Sequence, residues 1–89
     1  MKMKQVVTVT EVEGEGLIAL AGQRVTFFCL NYIYTGKLVG VNTDFVKLED
    51  AAIVYETGAF NTKEWKDAQA LPHPVYIMLR CVESYTLLK

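Results

Sequence analysis

Gly36 and Gly40 lie four residues apart inside a run, residues 35–51, that otherwise alternates apolar and polar side chains. A β-strand accepts glycine where the sheet bends sharply or another backbone comes close, because no Cβ stands in the way. Leu38, Val46 and Leu48 supply the apolar face of the alternation, and the polar stretch Asn42-Thr43-Asp44 splits the run in two. The run therefore predicts two consecutive antiparallel strands, the second extending over residues 45–56, in a sheet that curls on itself.

The rest of the chain continues that rhythm. Residues 24–30 are aromatic and β-branched, Asn31 is a good turn residue, and Tyr32-Ile33-Tyr34 resumes the pattern, which predicts a hairpin. Residues 75–79 and 83–88 read as two final strands around a tight turn. Leu17-Ile18-Ala19-Leu20-Ala21 before Gly22 suits a short helix stopped by a C-terminal glycine. Ahead of it, Val6-Val7-Thr8-Val9-Thr10 is either an extra edge-type strand or an ordered arm, so residues 1–14 precede the main body. Residues 57–74 interrupt the strands. Asn61 followed three residues later by Glu64 resembles a capping box and predicts about two helical turns over residues 62–70, carrying Trp65. Pro72 and Pro74 then hold His73 in an extended link.

A chain of 89 residues has room for one domain, here residues 1–89. A small chain buries only about 60% of the surface its unfolded form exposes. With 52% apolar residues, self-association is the expected way to cover the remainder. The longest uncharged apolar run, residues 25–34, is far short of a bilayer span, and the Met1-Lys2-Met3-Lys4 start lacks the pattern of a secretory signal. A cytoplasmic location without membrane attachment is expected. Nine Lys/Arg against ten Asp/Glu leave a net charge of −1, which excludes the broad basic footprint that duplex DNA requires. Cys29 and Cys81 stand far apart without a partner at metal-ligand spacing, and read as small buried thiols rather than a disulfide.

The run from Gly36 to Asp50 resembles the first motif of the Sm-like (Sm/LSm/Hfq-type) family, with its Gly-x-Leu opening, short Asp/Asn-bearing loop and alternating apolar residues ending in an acid. Leu79-Arg80-Cys81 resembles the Ile-Arg-Gly of the second motif, with cysteine replacing the glycine. The resemblance implies an all-β fold, a small, strongly bent five-stranded antiparallel barrel of SH3 type. It carries a short N-terminal helix, and residues 57–74 become an insertion holding a short helix between strands 3 and 4. It further implies a homo-oligomeric ring, of six or seven subunits by family habit, closed by pairing of residues 75–79 with residues 83–88 of the next copy.

Sm-like rings bind single-stranded RNA at the pore, so the resemblance makes Asn42, Asp44, Phe45 and Arg80 the candidate RNA-binding residues and a U- or A-rich strand the expected ligand. Short amides and carboxylates read base edges, while rings and guanidinium groups stack on base faces. Phe45 reads equally as a core residue, and Arg80 either faces the pore or pairs with Asp44 or Asp50. Asn42 stands where the family has aspartate. The alternative function is a ring that serves as a protein assembly platform without RNA; a more distant one is an unrelated small barrel that binds a peptide. No cofactor is implied, and catalysis is not expected. A Ser/His pair would have to join Ser84, in a strand, to His73, wedged between prolines, with no acid placed to orient it.

Overall fold

The computed structural model describes residues 12–89; the expected arm or strand at residues 6–10 lies outside the described residues. β1 (Arg24–Cys29) and β2 (Ile33–Val41) form the hairpin expected across Asn31, with Phe28 opposite Ile33 and Arg24 opposite Lys37. β3 (Phe45–Glu56) begins and ends where the alternation placed it, and returns antiparallel along β2. Thr26 and Thr35 meet across β1 and β2 with both side chains buried, and the Thr26 hydroxyl donates to that of Thr35 at 3.3 Å. That bond offsets the cost of taking two hydroxyls out of water.

The bend sits at Gly36. Thr35 faces Ala52 but Lys37 faces Glu49, so β3 carries one extra residue there, and Asp50 takes it up with a φ of 48°. A Cβ on Gly36 would lie 3.0 Å from the Glu49 carbonyl oxygen and 3.1 Å from the Ala51 Cα. Gly40 marks a second irregularity, but a Cβ there would meet only the Lys47 Cβ, at 3.3 Å. Two bulges on facing strands turn the pair sharply, and the turn divides the outer edge of β3 into two stretches pointing different ways.

Each stretch takes its own partner. β4 (Asp67–Ala70) pairs with the second half of β3, setting Ala70 against Ala52 and Ala68 against Val54. β5 (Val75–Met78) pairs with the first half, setting Ile77 against Val46. A single 3₁₀ turn, Leu79–Cys81, then leads into β6 (Val82–Thr86), which pairs with β1. The hydrogen-bonded order is β4-β3-β2-β1-β6, with β5 also on β3. The all-β expectation holds. Among the described residues six strands replace the expected five, and the ladder stays open because β5 and β6 do not pair with each other.

Neither expected helix forms. Residues 62–70 supply β4 instead, because the bend leaves the second half of β3 with an unpaired edge that a strand satisfies with four registered residues. Long-range pairing overrides the helical preference of Ala68-Gln69-Ala70. Near the N-terminus only a 3₁₀ turn, Ile18–Leu20, forms before Gly22, with no side-chain cap at its start. The five residues between Gly16 and Gly22 are too few to repay helix nucleation. Leu17 and Leu20, at this turn, pack against the core.

Val25, Phe27, Leu38, Val46 and Leu48 are wholly buried and, with Ala51 and Ile77, make the core. Burying each large side chain contributes about 1.5–3 kcal/mol. β4 is exposed along its whole length, so residues 57–70 lie outside that core. No helix among the described residues is long and apolar enough to cross a membrane.

Candidate functional site

The turn from β2 to β3 is organised by Asn42. Its side-chain oxygen accepts the N–H groups of Asp44 at 2.7 Å and Phe45 at 2.8 Å, and its own N–H donates to the Phe45 carbonyl. This self-bonded turn is what asparagine does well. It also commits the amide oxygen to the backbone, so that the NH₂ is the part of the Asn42 amide not used in the turn.

The same turn is tied to the other motif. The Leu79 N–H donates to the Asp44 carbonyl at 2.9 Å, which anchors the 3₁₀ turn carrying Arg80 beside residues 42–45. Arg80 is exposed and, among the described residues, forms neither an ion pair nor a side-chain hydrogen bond. The pairing with Asp44 or Asp50 does not occur; the Asp50 carbonyl accepts from Arg24 instead, at 3.2 Å. Cys81 replaces the motif glycine without strain, since Asp50 is the one non-glycine residue with positive φ among those described.

Phe45 is half-buried and meets Tyr76 edge to face, with ring centroids 5.3 Å apart. Its ring is therefore a packing element first. Tyr76, 54% exposed, offers the freer face, and Lys47 Nζ lies 5.6 Å from its centroid. A cleft of about 220 Å³ opens between the β1–β2 hairpin tip and β5, lined by Tyr32, Tyr34, Tyr76, Met78 and both cysteines. None of Tyr32, Tyr76 or Met78 stood out in the sequence. Their alternation with buried neighbours, as in Tyr76-Ile77-Met78, was the available signal.

Neither a family model, nor a curated protein, nor a solved structure matches the chain. The reading of the site rests on its own geometry.

Cys29 and Cys81 are free, half-buried thiols that share this cleft, with the Leu30 N–H bonded to the Cys81 carbonyl at 3.1 Å. Burial first, then the nearby Cys81 and Glu83, push the Cys29 thiol above its ordinary pKa. Burial likewise raises the Tyr34 hydroxyl. A raised pKa in the folded state means that the folded chain holds the proton more tightly than the unfolded one. This contribution to stability is complete at neutral pH and is lost as pH climbs from the unfolded value through the folded one. At neutral pH, Cys29 should react with iodoacetamide more slowly in the folded protein than in urea, with the gap closing in alkali. Equal rates at neutral pH, read by peptide mass spectrometry, would contradict the burial.

His73 and Ser84 are not brought together. His73 lies near Asp50 at the outer edge of β3, whereas Ser84 sits on β6, across β2 and β1. Glu13 and Glu15 are exposed.

Proposed function

We propose that the chain is a self-assembling Sm-like module that forms a closed ring and binds single-stranded RNA with Asn42, Asp44, Phe45 and Arg80. The observation that carries this reading is the Leu79–Asp44 hydrogen bond, which sets the two turns side by side at one end of the β3–β5 pair. Arg80, exposed and without a partner among the described residues, supplies a cation at that spot despite the net negative charge of the chain. Repetition around a ring turns such single contacts into useful affinity by raising the effective concentration at each next subunit.

Assembly is supported by the outer edges of β5 and β6. Among the described residues β5 pairs only with β3 and β6 only with β1, and apolar residues border both: Tyr76 and Met78 on one, Tyr85 and Leu87 on the other. Unpaired apolar edges invite strand addition.

Oligo-U and oligo-A binding at two salt concentrations tests the RNA reading. Arg80→Ala should weaken binding and flatten its salt dependence by about one phosphate contact per subunit engaged. Failure of both oligomers at low salt, where attraction is strongest, removes RNA from the proposal. One observation favours the second reading, a protein assembly platform: the Asn42 oxygen and the Phe45 ring are already engaged within the chain. A ring that ignores both oligomers would support it.

A further inference from the structure

Residues 57–65, between β3 and β4, turn four oxygen atoms toward one point. The carbonyls of Thr57, Ala59 and Glu64 and the Thr62 hydroxyl lie 2.9, 2.8, 2.8 and 3.0 Å from the Lys89 Nζ. The Trp65 ring closes the site, with its centroid 4.7 Å from the same nitrogen. The Thr62 hydroxyl also lies 2.7 Å from the Ala59 carbonyl and within 3.2 Å of that of Glu64, which knits the rim together.

Four converging acceptors repel one another unless a donor-rich cation sits among them. An ammonium group has three N–H donors and no acceptor, so it satisfies such a ring of oxygens with one donor shared. An aromatic face adds attraction for a cation at this range. Among the described residues no carboxylate pairs with the nitrogen: the ion pair formed nearby joins Lys66 to Glu56, at 3.4 Å. Recognition is thus by dipoles and a π face, which select a cation with hydrogens to donate over a bare charge.

We propose that residues 57–65 form a binding site for a primary alkylammonium group, filled within the chain by Lys89 and open to an external ligand when Lys89 leaves. Lys89 lies three residues beyond β6, and those residues belong to no strand. Its hold on the site is that of a short tether, which sets a finite effective concentration that a free amine can exceed. The ligand class is a lysine side chain of another molecule or a free polyamine. The site is independent of the RNA and ring proposals, since neither uses these residues.

Trp65 is the single tryptophan of the chain, so its emission reports on this site alone. In Lys89→Met, n-butylammonium should change Trp65 emission saturably, while tetramethylammonium, which has no N–H, should not. Nα-acetyl-lysine methylamide stands for a partner's lysine and putrescine for a polyamine; the tighter binder names the source. No saturable change with butylammonium, or an equal response to potassium or tetramethylammonium, overturns the proposal.

A second measurement uses the unmodified chain. With limiting acetylating reagent, Lys89 should react about tenfold more slowly than the exposed Lys63 and Lys66, and excess butylammonium should restore its rate. Should Lys89 react as fast as Lys63 without added amine, or stay protected at saturating amine, the site is not the exchangeable receptor proposed.

Discussion

Gly36→Ala is expected to lower stability by about 1–3 kcal/mol, the usual cost of forcing extra atoms into a packed interior, and Gly36→Val to leave little folded protein. The added Cβ meets backbone, not a movable side chain: the Glu49 oxygen at 3.0 Å and the Ala51 Cα at 3.1 Å. To admit it, β2 and β3 must separate at the bulge, which misplaces the two halves of β3 that carry β4 and β5. A small domain has only about 5–15 kcal/mol to lose. Gly40→Ala is the internal control. Its one close neighbour is the Lys47 Cβ at 3.3 Å, and the reduced freedom of the unfolded chain offsets the small repulsion by about 0.4–1 kcal/mol. Urea denaturation followed by circular dichroism compares the two alanine variants. If Gly40→Ala costs as much as Gly36→Ala, the close approach at Gly36 is not what shapes the sheet.

The second large effect concerns assembly. At micromolar concentration the chain should scatter light as a closed oligomer, and the double variant Met78→Lys, Leu87→Lys should be a folded monomer. Both positions border the open edges and are substantially exposed, at 36% and 47%, so replacing them leaves the core intact. Lysine on an edge strand keeps other strands away, and like charges set against each other across an interface weaken association by about a hundredfold or more. Tyr85→Pro is a less discriminating probe, because Tyr85 also stands opposite Phe27 inside the subunit. A wild-type chain that is monomeric at this concentration would end the ring proposal, whatever its affinity for RNA.

The strands legible in the sequence are those whose side chains alternate. β1, β2, β3, β5 and β6 lie close to their expected positions because Val25, Phe27, Leu38, Val46, Leu48 and Ile77 must point to one side and their neighbours to the other. β4 was illegible for the converse reason: Asp67-Ala68-Gln69-Ala70 buries nothing. Its strand character comes from the β3 edge alone, and local preference pointed to a helix. The surroundings of Asn42, Asp44, Phe45 and Arg80 were less legible. That Phe45 rests on Tyr76 and that Leu79, beside Arg80, bonds to Asp44 depend on contacts between distant segments, whereas the Asn42 turn is local.

Periodicity and glycine placement by themselves determined an all-β chain with a bend or close approach at Gly36 and Gly40, because both act within one or two adjacent strands. Only the tertiary structure decided the sixth strand, the open ladder, the joining of the Asp44 and Arg80 turns, and the seating of Lys89 among the oxygens of residues 57–65. Those features arise between residues about 11 to 35 positions apart, and no local pattern encodes which of the exposed carbonyls, edges and cations will find one another.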